Sequence, residues 1–230
     1  MRIELINTGS ELLLGHVLNT HQQWICRELN NHGWDVARQV TVADTGSAIE
    51  DAVREGLSRA DLVITTGGLG PTADDITRDR IAALLDSKLL EDASVRNHIT
   101  AFFERIQRPM PESVLVQALV PEGAQILPNA LGTAPGLFFE LCPNPFGDGQ
   151  GPGWLLMLPG PPRELRPMFT DQVLPILRDK CPPPIRMITR TLRAAGIGES
   201  MVEEKISGLL RPLVDSGLEI GCCARSGEVD

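Results

Sequence analysis

The 230-residue chain carries 21 Lys and Arg against 30 Asp and Glu, a formal net charge of -9, and 42% of its residues are hydrophobic. That balance supports a real core and argues against non-specific binding to nucleic acid or an acidic membrane, while leaving room for a small anion held by local amides, cations or a metal. With no Tyr and only 3 Trp, stacking platforms for bases are scarce, and the apolar runs are far too short to span a bilayer.

The opening MRIELINTGSELLLG has no basic leader ahead of a long apolar core, so it reads as a buried first strand rather than a signal peptide. Arg2 to Thr8 forms that strand, with Gly9-Ser10-Glu11 at its carboxyl end and a compact apolar segment, Leu12 to Leu18, behind them. Asn19 or Thr20 caps a helix running to about Asn31, and Gly33 suits the left-handed position after it. Trp34 to Ala43 is the second strand, with Asp44-Thr45 at its end. Ser47 to Arg59 has helical spacing. Strand, helix, strand, helix and strand with short links predict a right-handed parallel α/β sheet.

The stretch DLVITTGGLGPTADDITRDR, Asp61 to Arg80, is the centre of this plan. A buried strand ends in Thr65-Thr66, turns on Gly67-Gly68-Leu69-Gly70-Pro71, and delivers Asp74-Asp75 at the start of a helical pattern. Amides near Gly68 and Gly70 are placed to bind an anion, and a neighbouring carboxylate to hold Mg²⁺ against phosphate oxygens. Thr72 to Asp75 also fits a capping box, so the local residues alone leave simple helix capping open. Asp75 and Asp79 are expected to share a helix face that Arg78 and Arg80 solvate.

Further along, Ile76 to Leu85 and Asp92 to Ile106 read as helices, Ser113 to Leu119 as a short helical or extended link, and Ala124 to Asn129 as a strand. Gly132-Thr133-Ala134-Pro135-Gly136 is a second rigid turn before the strand Leu137 to Phe139. Cys142 to Gly153 is rich in Pro and Gly and is expected to be a mobile insertion. Trp154 to Leu158 ends in a third turn, Pro159 to Glu164, and Leu165 to Asp179 is a helix that Pro175 is expected to break. The Pro182-Pro183-Pro184 run marks a boundary between a domain over 1–180 and a small partial α+β segment over 184–230. In that segment Ile185 to Leu192 and Leu218 to Cys223 are expected as strands around a helix from Met201 to Leu210, and its ending reads as a truncation from a longer protein.

Glu11 and Asp44, at the ends of the first two strands, converge with the third-strand loop if the sheet is parallel, which makes an acidic, metal-dependent pocket reasonable; loop hydrogen bonding is the competing role. Asn19 and Thr20 are candidates to hold a heterocycle or phosphate, with capping as the alternative, and His16 and His21 are possible polar contacts. The glycine pattern lacks GxGxxG spacing, no Lys-Ser/Thr follows as in a P-loop, and no serine nucleophile elbow is present. The five cysteines, Cys26, Cys142, Cys181, Cys222 and Cys223, are scattered and lack metal-ligand spacing. A reduced cytoplasmic protein is expected.

Taken together, GSELLLG (9–15), NTH (19–21), TTGGLGPTADD (65–75), GTAPG (132–136) and LPGPPREL (158–165) resemble the N-terminal molybdopterin-binding-like domain of the CinA (competence/damage-inducible protein A) family. Ser10 and His21 depart from the family's commoner Asp or Thr and Asn. The resemblance implies a three-layer α/β fold with a mostly parallel sheet flanked by helices. It implies divalent-metal-dependent hydrolysis of ADP-ribose to AMP and ribose 5-phosphate, with Mg, Mn or Co, and K alongside. Asp44 and Asp75 map to the family's functional aspartates. With Glu11 they are the expected catalytic and metal-holding residues. Gly9, Ser10, Asn19, Thr20, Thr66, Gly67, Gly68, Gly70, Thr72, Asp74, Gly132, Thr133, Gly160, Pro161 and Glu164 are the expected ligand contacts. The alternative is a molybdopterin-binding or adenylyl-transfer protein, and a second alternative is an interaction domain without turnover. The expected partners are a small anionic nucleotide or pterin and a second copy of the chain. The nicotinamide mononucleotide deamidase domain that many members carry is not expected in this chain.

Overall fold

The structure, a computed structural model, describes residues 1–147, 151–183, 188, 190–225 and 228–230. Strand β1 (Ile3–Thr8) is buried along its whole length. Its side chains alternate, Ile3 and Leu5 joining one core cluster and Ile6 the other, as a strand covered on both faces requires. A single turn, α1 (Ser10–Leu13), precedes α2 (Thr20–Asn31), which Asn19 starts by accepting from the Gln22 amide. β2 (Val36–Val42), α3 (Gly46–Arg59) and β3 (Leu62–Thr66) complete the first half of the rhythm.

After the glycine turn come α4 (Thr77–Leu84), β4 (Leu89–Glu91) and α5 (Ala93–Arg105), the last capped by the Asp92 carboxylate on the Ser94 and Val95 amides. A 3-10 segment, Glu112–Ala118, feeds β5 (Leu119–Pro121), which pairs antiparallel with β4. This small two-stranded pair was not expected: each strand has 3 residues, too few to show a period of two. β6 (Gln125–Leu127), β7 (Gly136–Leu141) and β8 (Gly153–Leu158) follow.

Helix α6 (Pro162–Met168) then passes through a π turn, Phe169–Val173, into α7 (Leu174–Lys180). The break expected at Pro175 is absent. Pro175 has no N–H for the carbonyl four residues back, and the chain widens just before it, with the Leu174 amide donating to the Phe169 carbonyl.

Among the described residues, six strands join in the order β2-β1-β3-β8-β7-β6. β2, β1, β3 and β8 are parallel, while β7 and β6 extend the sheet antiparallel. Helices α3, α4 and α5 cover one face through Ile49, Val53, Ile81 and Ile99. Helices α2, α6 and α7 cover the other through Ile25, Leu29, Leu165 and Leu177. This is the expected three-layer α/β fold. β2 is an edge strand and has no fully buried residue, whereas β3 has only buried ones. Glu4 is an exception on β1. Its carboxylate is buried and takes a two-pronged ion pair from Arg59 of α3. Within the stretch expected to be a mobile insertion, Asn144 is buried and donates to the Leu57 carbonyl at 2.7 Å; residues 148–150 lie outside the described residues.

The described residues divide into two compact units, Met1–Met187 and Ile188–Asp230. Both core clusters belong to the first. The second contains β9 (Ala194–Ala195), α8 (Glu199–Asp215), β10 (Ala224–Arg225) and β11 (Glu228–Val229), with its strands in the order β10-β11-β9. α8 is longer than expected and runs through Pro212. The strand expected to begin over Leu218–Cys223 does not form there: pairing with the terminal segment begins at Cys223, which exchanges hydrogen bonds with Asp230, and the earlier residues have no partner strand among the described residues. Of the strand expected over 185–192, residues 185–187 and 189 lie outside the described residues, as does Pro184, and the described residues 188 and 190–192 are not in a strand. Among the described residues no helix is long and apolar enough to cross a membrane.

Candidate functional site

Parallel pairing brings the strand ends to one level. Thr8 pairs with Val42, Asn7 with Thr66, and Thr66 with Leu158. The loops leaving β1, β2, β3 and β8 therefore rise from the same edge, the usual place for a ligand above an α/β sheet. β7 runs the other way, with Leu137 opposite Met157, so the loop before it, 132–135, arrives at that same edge. Together these loops enclose a cleft of about 560 Å³, within the usual range for a small-molecule site.

The floor is a buried polar network. The Thr66 hydroxyl donates to Asn7 Oδ1 at 3.0 Å, and the Asn7 amide donates to the Val40 carbonyl at 3.4 Å. The Thr8 hydroxyl donates to the Thr66 carbonyl at 3.2 Å and accepts from the Thr77 hydroxyl at 3.3 Å. Asn7 and Thr77 have no exposed surface. Each buried polar atom that is satisfied here avoids a penalty of about 1–3 kcal/mol, so the network holds the strand ends in register beneath the cleft.

The glycine turn stands on this floor. The Gly67 amide donates to the Leu158 carbonyl at 3.0 Å, and the Gly68 carbonyl accepts from the Thr77 amide at 3.1 Å. Gly67 was expected to offer its amide to phosphate; that amide instead closes the sheet edge. Among the described residues, the amides of Gly68, Leu69 and Gly70 have no protein acceptor. Gly68 sits at φ 66°, and a Cβ there would lie 1.9 Å from the Thr77 hydroxyl oxygen.

Helix α4 begins at Thr77, so Asp74 and Asp75 lie in the turn and not on the helix. Asp75 accepts from the Thr72 amide at 3.0 Å and from the Thr72 hydroxyl, which also reaches Asp74. That hydroxyl, followed by Asp74's own amide, holds the Asp74 carboxyl below its ordinary range. Asp75 and Asp79 therefore do not share a helix face. Arg78, expected to solvate that face, is buried and pairs with Asp79 at 2.9 Å. At the second strand end, Asp44 accepts from the Ser10 amide at 2.7 Å while its own amide donates to the Ser10 hydroxyl at 3.2 Å.

The opposite wall is set by Asn129 and Glu164, both buried. The Asn129 amide donates to Glu164 Oε2 and to the Ala134 carbonyl, each at 2.8 Å, and Asn129 Oδ1 accepts from the Leu131 amide. A Cβ on Gly132 would lie 2.0 Å from Glu164 Oε2, so any larger residue there must displace the Glu164 and Asn129 side chains. His21, in the first turn of α2, lines the cleft with a buried Nδ1 that has no hydrogen-bond partner among the described residues. Burial pushes its imidazole below the ordinary value of 6.5; the Gly160 backbone opposes this and the Arg166 charge adds to it.

Of the expected site residues, Glu11, Asn19, Thr20, Asp44, Thr66, Gly67, Gly68, Gly70, Asp74, Asp75, Thr133, Gly160, Pro161 and Glu164 line this cleft. Gly9, Ser10, Thr72 and Gly132 do not; Ser10 and Thr72 instead engage the lining carboxylates from behind. Thr8, Gln117 and Ala134 line it without having been expected, and Asn129 and Thr77 support it. The signal for Gln117 was a polar residue inside the apolar run SVLVQAL. Thr8 and Thr77 carried no comparable signal.

Among the described residues that line the cleft are five carboxylates, Glu11, Asp44, Asp74, Asp75 and Glu164, and no Lys or Arg. Among the described residues, no three His, Cys, Asp or Glu side chains come together in a group that could hold a metal ion. The acids thus share a cleft without forming a ready-made cage. A hard cation that takes one or two carboxylates and completes its shell with ligand phosphates needs no such cage.

Residues 4–179 match the family described as "Probable molybdopterin binding domain". Over 230 residues the chain is 44% identical to a "CinA-like protein" of Akkermansia muciniphila, covering 100% of this chain and 53% of that protein. It is likewise 44% identical to a "Putative competence-damage inducible protein" of Desulforudis audaxviator, covering 100% of this chain and 52% of that protein. The chain thus spans about half the length of these curated relatives. Among solved structures, the protein CinA of Thermoplasma acidophilum, titled as of unknown function, is 29% identical with a TM-score of 0.65, over 76% of this chain and 97% of that one. The molybdopterin biosynthesis enzyme MoaB of Thermus thermophilus, 22% identical with a TM-score of 0.50 over 77% of this chain and 92% of that one, shares the fold.

Proposed function

Because the chain belongs to the probable molybdopterin binding domain family, in its CinA-like branch, we propose that its cleft binds a phosphate-bearing pterin of the molybdopterin type. The observation that carries this reading is the set of Gly68, Leu69 and Gly70 amides, free of protein acceptors, at the rim of a cleft of about 560 Å³. Backbone N–H groups bind phosphate without a cationic side chain, which suits a cleft lined by no Lys or Arg. The remaining volume and the partly apolar wall of Leu12, Val17 and Leu18 suit a flat heterocycle.

The five lining carboxylates favour a second reading, hydrolysis of ADP-ribose with Mg, Mn or Co. A diphosphate entering so acidic a cleft needs its charge offset, and one or two of the carboxylates Glu11, Asp44 and Asp75 would hold the cation, the ligand phosphates completing its shell. When bound, it would neutralise negative charge on the phosphates. The chain's own contribution is to position: the free turn amides orient the diphosphate, and Ser10 and Thr72 fix the Asp44 and Asp75 carboxylates. Water would add to one phosphorus, the P–O–P bond would break, and AMP and ribose 5-phosphate would leave. The same family membership carries the expectation of a homodimer, checked by sedimentation.

The two readings separate in one experiment. Purified protein is titrated with molybdopterin under anaerobic conditions and, separately, incubated with ADP-ribose and each metal while AMP is followed. Pterin binding without AMP formation supports the first reading. Metal-dependent AMP formation that is lost in Asp75→Asn supports the second; retained hydrolysis in that variant, with unchanged metal dependence, removes Asp75 from its central role. Neither binding nor turnover overturns both.

A further inference from the structure

Gln117 is the least explained residue of the cleft. It sits in the 3-10 segment before β5, keeps 2% of its surface exposed, and lines the cavity. Its Nε2 donates to the Leu69 carbonyl at 3.3 Å, which ties this segment to the glycine turn. Its Oε1 is buried and has no hydrogen-bond partner among the described residues. A side-chain amide can be turned over, but here the two orientations are unequal. Turned over, Oε1 would face the Leu69 carbonyl oxygen, acceptor against acceptor, and the amino group would lose its acceptor. The Leu69 carbonyl therefore fixes Oε1 as the unsatisfied atom. Buried acceptors are almost always satisfied in folded proteins, and leaving one bare costs about 1–3 kcal/mol.

From this geometry we propose that Gln117 is a specificity-determining residue, whose Oε1 accepts a hydrogen bond from an N–H or O–H donor on the organic part of the ligand. The proposal rests on the functional reading above and deepens it. Phosphate oxygens are acceptors at neutral pH, and so are the five carboxylates of the cleft. None of these satisfies Oε1. A heterocycle N–H or a sugar hydroxyl does, so the free turn amides would select for phosphate and Gln117 for what the phosphate is attached to. A site built to hydrogen-bond a ligand discriminates strongly against one lacking that group, because its own buried atom is then left unpaired.

The test compares wild type and Gln117→Met by calorimetry with three probes: molybdopterin, ADP-ribose and inorganic pyrophosphate, which has no organic part. Met preserves length and bulk while removing both polar atoms. We expect the organic ligand that wild type binds to be weakened about tenfold and pyrophosphate by less than about twofold. Equal weakening of all the probes that bind would mean that Gln117 acts only by holding Leu69, and no change would mean that it does nothing for binding; either overturns the proposal. Wild type that binds pyrophosphate alone overturns it too, while leaving the anion site standing. Wild type that binds none of the three removes the functional reading and the role of Gln117 with it. Should Gln117→Met not fold, nitrogen-15 spectra of wild type give the same answer. The Gln117 side-chain amide signals are expected to shift with the bound organic ligand and not with pyrophosphate, and unmoved signals overturn the proposal.

Discussion

At the scale of single residues, the site is governed by close approaches that leave no alternative side chain. Gly68 combines a left-handed backbone with a Thr77 hydroxyl 1.9 Å from where a Cβ would go. The backbone term alone costs a non-glycine residue about 1–2 kcal/mol, and relieving the overlap must displace Thr77 from the network beneath the turn. Gly68→Ala is therefore expected to lower the thermal midpoint by several degrees and to weaken the anion ligand at least tenfold. A variant with wild-type melting and binding would contradict the turn's role. His21 adds a pH dependence. Its folded-state pKa lies below 6.5, so between 6.5 and that lower value the unfolded chain binds the extra proton. The neutral imidazole's contribution is complete above 6.5 and is lost as pH falls below it. Thermal midpoints of wild type and His21→Gln, measured without ligand from pH 8 to pH 5, should diverge with wild type losing more at the acid end; parallel curves would count against it.

At the scale of elements, the loop before β7 reaches the cleft because β7 is antiparallel to β8, and the Asn129–Glu164 clasp holds it there. Asn129→Ala leaves the buried Glu164 without its amide partner and frees the Ala134 carbonyl and Leu131 amide. A loss of about 1–3 kcal/mol in urea unfolding is expected, with faster proteolysis at residues 130–135. Unchanged unfolding would show the clasp to be incidental. Elements whose burial repeats along the chain were legible in advance: β1, α2, α3, β3 and α5 lie within a residue or two of expectation. The β4–β5 pair and the π turn were not legible, because the first is too short to carry a pattern and the second depends on how Pro175 is absorbed between flanking turns.

At the scale of the whole molecule, every residue lining the cleft and both core clusters belong to Met1–Met187. A chain ending at Pro183 is expected to fold and to keep the ligand affinity of the full chain within about twofold, since nothing that lines the site is removed. Failure to fold, or loss of binding, would show that the second unit contributes to the first. The pair between buried Glu4 and half-buried Arg59 belongs to the same scale, because it fastens β1 to α3 across 55 positions of sequence.

The amino-acid sequence by itself determined the α/β class, the order of the main strands and helices, and the loops that carry the chemistry. Those properties follow from local periodicity and from turn residues whose effect is felt within a few positions. It also supplied most of the lining residues, because strand ends in a parallel sheet must fall on one edge. What only the tertiary structure decided is which groups are already engaged. Gly67 closes the sheet edge, Ser10 and Thr72 brace the acids, and Asn129 holds Glu164. Gln117, read in sequence as part of a short helical or extended link, is held by a carbonyl 48 positions away. Hydrogen-bond satisfaction is a property of atoms brought together from distant positions, so no window of sequence contains it.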